Sequence, residues 1–394
     1  MTLRVVDAIG AVARESWDAL LGPSDPQANP FVSWTFLDAL ESSGCAGPGH
    51  GWQARHLLLW DGDRLIAAAP AYLKYDHEGD FARDWVWSGA VERAGVRYFP
   101  RLLITVPITP VRGRRILVGD GVDRAEATRV LLEGAKRLAR DEKASSVHVL
   151  FAHEDELQHL AAVGLGLRMD FQAHWVNHDY DTTDDFLMHG LDSKQRRNAR
   201  VERAKPGPQG IEIRTIRGAE LAGDRDRMGK LAHSFYHATI SKMRWGRPWL
   251  NGAFYARIFH DMPESLELVV ATRAGKPIAG AFNVQHGDRL FGRYWGCLEE
   301  HDVLHFNVCL HHSIDDCIAR GIRVFEGGAG GEHKLLRGFD LAPTYSAHWF
   351  VNQRINKEII GFLDEERRAR AEELSKWHHQ HERHRRKRDV GSQT

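Results

Sequence analysis

Two rhythms of apolar and polar positions alternate along the chain. Short apolar or alternating runs at 52–60, 64–74, 101–111, 145–151 and 167–180 read as strands, as do 211–218, 266–274, 277–285, 289–297, 322–328 and 343–351. A helical period marks 30–43, 123–142, a stretch after His153, 185–205, 224–240, 248–262 and 304–321. The segment 355–388 is rich in Glu, Arg and Ala and reads as a last helix fraying into a basic tail. Strands alternating with helices predict a mixed α/β protein.

One pattern occurs twice. Residues 57–70 (LLLWDGDRLIAAAP) and 269–282 (VVATRAGKPIAGAF) align at a constant offset of 212, each an apolar run, a turn, a basic residue, then Ile-Ala. Gly62 and Gly275 fall one step out of register. A half-length repeat suits two copies of one α/β fold. The expected division is 1–181, 182–352, and a helix with a tail at 353–394. At 394 residues the chain is long enough for two domains.

Composition narrows the class. Hydrophobic residues make up 43% and charged residues 27%, as in ordinary globular proteins. Lys+Arg and Asp+Glu are both 53, so net charge selects no partner. The distribution is uneven, with six basic residues between Lys376 and Arg388 against Glu382 alone. That tail could meet RNA phosphate or an acidic membrane surface, or simply be solvated. The N-terminal stretch has scattered charges and no apolar core, unlike a signal peptide, and no apolar run approaches a membrane span. The four cysteines form no C-x-x-C pair, which fits a reduced, cytoplasmic protein.

Three segments carry candidate chemistry. GGAGGEHKLLRGF (327–339) follows an apolar strand, and its glycines allow a sharp turn and close approach of a ligand to backbone amides. Amide formation needs a base for the amine proton and donors for the developing oxyanion. Glu332 and His333 are candidate bases here, Lys334 and Arg337 candidate anion anchors, and the amides near Gly330 and Gly331 candidate oxyanion donors. The bland alternative is a strand-to-helix turn with its charges in water. The glycines lack the G-x-G-x-x-G spacing, which excludes a dinucleotide fingerprint.

The second segment packs Cys297, His301, His305, Cys309, His311 and His312 into sixteen residues. On a helix, His305, Cys309 and His312 share a face at zinc-ligand spacing. No second ligand pair stands nearby, so the reading is no metal, with His305 as a cleft histidine and candidate general base. Arg293 and Trp295, alternating on the strand leading there, are candidate pocket-lining residues. In the third segment, 193–205, six basic residues surround one acid, Glu202. Lys194, Arg196, Arg197 and Arg200 are candidate contacts for a phosphate-rich ligand, tRNA or a nucleotide-linked donor. A solvated helix face is the alternative. On a continuous helix, Leu187, Leu191, Lys194, Asn198 and Val201 form a second face, apolar but interrupted by Lys194 and Asn198. The aromatics Trp85, Trp87, Tyr98 and Phe99, around the GAVERAG loop, are candidates for a pocket wall.

Several stretches resemble the Fem-like family of peptidoglycan biosynthesis or recognition proteins, a branch of the acetyltransferase-like (GNAT) superfamily. They are NPFVSWTFLDALESSG, GWQARHLLLW, AAPAYLK and DWVWSGAVERAGVRYFPRLLITVPITPVRG in the first half. In the second half they are LDSKQRRNARVER, YWGCLEEHDVLHFNVC, FEGGAGGEHKLLRGF and PTYSAHW. The match runs in order through most of residues 29–350. It implies α/β architecture with two tandem GNAT-like domains, each a mixed sheet flanked by helices, and an acyl- or aminoacyltransferase with its reactive groove in the second domain. It also implies aminoacyl-tRNA as donor, with no tightly bound cofactor, and an amine or similar nucleophile as acceptor. Acyl-CoA is the alternative donor, and a non-catalytic RNA- or precursor-binding protein the alternative class. Within the matching blocks, Asn307 and Tyr345 are further candidate substrate-binding residues. Asn307 stands where the family usually has an acid.

Overall fold

The computed structural model describes residues 1–22, 29–242 and 247–389, with side chains as far as Gln380, and its contacts divide the chain into two units. The first holds residues 1–170 and 344–371; the second holds 171–343 and resumes at 372. The chain therefore passes between units inside two strands, not in a linker near 181, and 344–371 returns to the first unit instead of standing apart.

In the first unit the chain forms β1 (Thr2–Val6), α1 (Arg14–Asp18), α2 (Trp34–Ser42), β2 (Trp52–Ala54), β3 (His56–Asp61), β4 (Arg64–Ala69) and β5 (Ala71–Lys74). It continues through α3 (Trp85–Arg93), β6 (Arg101–Ile104), β7 (Leu117–Val118), α4 (Arg124–Asp141), β8 (Ser146–Ala152), α5 (Leu157–Ala162) and the start of β9 (Gly166–Val176). Next come α6 (Thr183–His189), α7 (Ser193–Ala204), β10 (Ile211–Arg217), α8 (Gly218–Gly223), α9 (Arg225–Ile240), α10 (Gly252–Asp261), β11 (Leu266–Arg273), β12 (Lys276–His286) and β13 (Arg289–Cys297). The second unit closes with α11 (Leu304–Phe306), α12 (His312–Arg320), β14 (Val324–Glu326) and the start of β15 (Asp340–Phe350); α13 (Gln353–Asp389) ends the chain.

Both units share a plan of a strand, helices, a hairpin, a strand, a helix, a parallel strand, a short helix and a last strand. To this the first adds β2, β5, α3 and β7, with its hairpin in a separate sheet of β1, β3, β4 and β7. In the first, β3 and β4 form the hairpin and β6 runs parallel to β8. In the second, β11 and β12 form the hairpin and β13 runs parallel to β14. The 212-residue offset holds in register. Leu57 faces Ala69 as Val269 faces Ala281, and the pairing slips after Leu59 as it does after Ala271. The glycines are out of step because Gly62 takes the first turn position of its hairpin and Gly275 the second of the other, both at positive φ.

Other expectations change locally. The GAVERAG stretch is mostly helix α3; its Trp87 is buried while Trp85 is 63% exposed. Tyr98 is also core. The strand expected over 101–111 stops at Ile104, and the one over 52–60 breaks at Arg55 into β2 and β3. Each unit has its own apolar core. The first packs the hairpin and β8 against Leu131, Leu132 and Ala135 of α4; the second packs Trp175, Phe186, Ile314 and Phe325 together. Among the described residues no helix is long and apolar enough to cross a membrane.

Candidate active site

In the second unit β13 and β14 pair in parallel only at Arg289–Phe291 with Val324–Glu326. Beyond that the strands part. A Cβ built on Gly328 would come within 3.1 Å of the Gly292 carbonyl, so glycine lets the turn leave β14 close against β13. Gly328, Gly330 and Gly331 all take positive φ, which that turn needs.

His305 lies where the strands part. Its ring centroid is 4.8 Å from Trp295 of β13 and 5.7 Å from His333, beyond β14. The backbone that presents it is irregular on both sides. Val303, a β-branched residue, has φ +54°, and Asn307–His311 form a π-turn before α12 resumes. Such strain and π-bulges gather at functional sites because surrounding packing must hold them in place. Burial, reinforced by His333, Lys334 and Arg337, pushes the His305 pKa down to about 4, so the ring is neutral at pH 7. His333 is shifted down too, by burial first and then by Lys334 and Arg337. Its Nε2 is buried with no hydrogen-bond partner among the described residues.

The basic groups of the glycine turn act differently from the sequence expectation. Lys334 is 6% exposed and donates to the carbonyls of Gly328 (2.9 Å) and Gly330 (2.7 Å), so its ammonium braces the turn instead of facing a ligand. Burial lowers its pKa to about 8. Gly327 leaves room for the lysine stem, since a Cβ there would meet Lys334 Cδ at 3.1 Å. Arg337 grips Glu202 with two donors (2.9 and 2.5 Å), donates to the His333 carbonyl and stacks 3.4 Å above Phe306. His311 Nε2 meets the same carboxylate at 2.7 Å. These partners hold the Glu202 carboxyl well down, at about 2, against the opposing effect of burial. Glu202 thus ties α7 to the π-turn and the glycine turn. Its position as the one acid in a basic run was the signal for it. Phe306 carried no such signal.

The remaining candidates scatter. Asn307 is buried and donates to the carbonyls of Glu202 and Val303, a bracing role. Glu332 is exposed at the start of a short 3-10 helix (Glu332–Arg337). Arg293 lies 5.4 Å over the Tyr294 ring. Tyr345 belongs to the first unit, where it pairs with Ala152. The zinc-spaced trio does not converge: the π-turn breaks the helical register, His312 Nε2 meets Thr215 Oγ1 at 3.0 Å, and half-buried Cys309 packs against the core, its thiol pushed up by burial. Among the described residues no group of three His, Cys, Asp or Glu side chains is placed to hold a metal ion.

The segment 185–205 is two helices, not one. Asp192 and Gln195 form a capping box that starts α7 afresh, so Leu187 and Leu191 leave the expected stripe and Val201 is 55% exposed. Lys194, Arg197 and Arg200 stand exposed on α7, while Arg196 donates to the Met188 carbonyl. Arg203 and Lys205 pair with Asp315 and Asp302.

The profile of the FemAB-like family, described as peptidoglycan biosynthesis/recognition, matches residues 8–385. No curated protein sequence matches the chain. Among solved structures, FemX is similar over 91% of this chain and all of its own, with TM-score 0.53 at 14% identity, a likeness of fold. L-PGS from Bacillus licheniformis matches over 90% of this chain and 97% of its own, with TM-score 0.49 at 9% identity. A tandem GNAT protein from the clavulanic acid biosynthesis pathway matches over 89% and 98%, with TM-score 0.42 at 14% identity.

Proposed function

The chain belongs to the FemAB-like family of peptidoglycan biosynthesis and recognition proteins, and from that premise we propose that it is an aminoacyltransferase. It takes an aminoacyl group from aminoacyl-tRNA and forms an amide on an amine acceptor. The observation that carries this reading is His305, held neutral between Trp295 and His333 where β13 and β14 part.

The amine nitrogen attacks the carbonyl carbon of the ester that joins the amino acid to the tRNA ribose. As the C–N bond forms, the carbonyl electrons move to oxygen, where the amides of Gly330 and Gly331 are the donors. The adduct's ammonium is far more acidic than a free alkylammonium ion, and His305 takes its proton. The oxyanion then re-forms the carbonyl, the C–O bond to the ribose breaks, and the departing oxygen receives that proton. Lys334 and Arg337 position the turn and do not touch the reacting atoms. Exposed Lys194, Arg197 and Arg200 on α7 support tRNA as donor, since exposed cations can displace the counterions of a phosphate backbone.

The test offers purified protein two donors, tRNA charged with labelled amino acids and labelled acetyl-CoA, with a lysine-containing peptidoglycan precursor peptide as acceptor. The expected result is label in amide linkage from tRNA only, with Arg197→Ala/Arg200→Ala weakening tRNA binding and flattening its salt dependence. Transfer from acetyl-CoA alone, indifferent to those substitutions, overturns the donor. Binding of charged tRNA with no turnover of either donor points to the non-catalytic reading.

A further inference from the structure

The first unit contains a half-open cavity of about 910 Å³ that the proposed reaction does not use, lined by the end of β1, by α2, by the loop at Ala46–Pro48, by β2 and by the end of α4. A space of that size holds a small organic ligand. Part of its wall is apolar: Val5, Ala8, Ala46, Trp52, Ala54 and Leu138.

Glu41 of α2 lines it and is fixed by three neighbours. Its Oε1 accepts from Tyr72 Oη (2.8 Å) and His56 Nε2 (2.8 Å), and its Oε2 accepts from the Ile9 amide (2.8 Å). The His56 tautomer is set from behind, because its Nδ1 accepts from the Ala71 amide and so leaves Nε2 to donate to Glu41. Tyr72 stays a donor, since burial and the adjacent carboxylate both raise its pKa. The carboxylate is therefore locked in one orientation with 11% of its side chain exposed. Asp38 and Asp7 line the same space. Arg55 is the cation among the described lining residues, and it is committed to Glu142 at 2.7 Å. An apolar wall beside a pre-oriented, unbalanced carboxylate is chemistry for a cation on a short hydrocarbon stem.

We propose that this cavity binds a primary ammonium compound, its charged end at Glu41 and its hydrocarbon against Ala8 and Leu138. This site is independent of the transfer reaction, so its failure leaves that reading untouched. The test is calorimetric titration of the full chain with 1,5-diaminopentane, with pentanoate and 1-pentanol as controls. Saturable diamine binding is expected, at least tenfold weaker in Glu41→Gln and in Ser42→Arg, with neither control binding. Because Glu41→Gln also disturbs Tyr72 and His56, Ser42→Arg decides the matter if that variant fails to fold: Ser42 is exposed on the lining, and arginine there opposes a cation by charge alone. Absence of saturable diamine binding, binding unchanged by Ser42→Arg, or preference for pentanoate each overturns the proposal.

Discussion

His148 on β8 and His348 on β15 face each other across the antiparallel pair, both wholly buried, with their Nδ1 atoms in contact. Ser146 caps the outer nitrogen of one ring at 2.7 Å and Ser346 that of the other at 2.8 Å. Burial pushes the His148 pKa down to about 3 and that of His348 well below the ordinary value. An unfolded histidine titrates near 6.5. Above that pH neither state carries the proton and the pair's contribution is complete. As pH falls from 6.5 toward 3, the unfolded chain binds protons that the folded one refuses, so stability is lost. Thermal unfolding should therefore show the midpoint dropping steadily between pH 7 and pH 4.5. Replacing both residues (His148→Gln with His348→Gln) should flatten that slope, even if the midpoint at pH 7 is lower. An equal slope in wild type and double variant would show that the pair does not titrate in this way. The Ser-x-His pattern was visible twice in the sequence, at 146–148 and 346–348, but nothing in it revealed that the two strands are neighbours.

At the scale of elements, the hairpins were legible because their apolar positions, turn and basic residue recur at one offset, and even the slip in strand pairing follows that offset. The π-turn at Asn307–His311 was not legible, since its residues fit a regular helix equally well and the bulge comes from packing. The break before α7 was readable from Asp192 and Gln195 at capping-box spacing, yet the density of basic residues around it drew attention to charge instead. Beside the site, α9 lies so close to β13 that a Cβ on Gly296 would come within 1.7 Å of the Phe235 carbonyl, and Thr239 of α9 donates to the Trp295 carbonyl at 2.7 Å. Gly280 on β12 gives the same helix room for the Phe235 ring. Gly296→Ala must push α9 away, and it should destabilise the protein by about 3 kcal/mol. Gly223→Ala, where a Cβ meets nothing within 4 Å, should be nearly neutral. Urea unfolding of both variants tests this; equal midpoints would mean that α9 does not rest on β13 as described.

For the whole molecule, the tandem plan places a parallel strand pair in each unit, but the two differ in what surrounds it. In the first, Arg101 of β6 is wholly buried among Asp80, Asp84 and Tyr98, an ion network closed to solvent. In the second, the strands part around half-buried histidines and a glycine turn. On that contrast we place the proposed chemistry in the second unit, at His305. Single-turnover transfer from charged tRNA to the amine acceptor, wild type against His305→Gln, tests it most directly, with tRNA binding measured in parallel. The account predicts a fall of about 100-fold or more in the transfer rate, the usual loss on removing a general base, with tRNA affinity unchanged. A variant that transfers at the wild-type rate would contradict it.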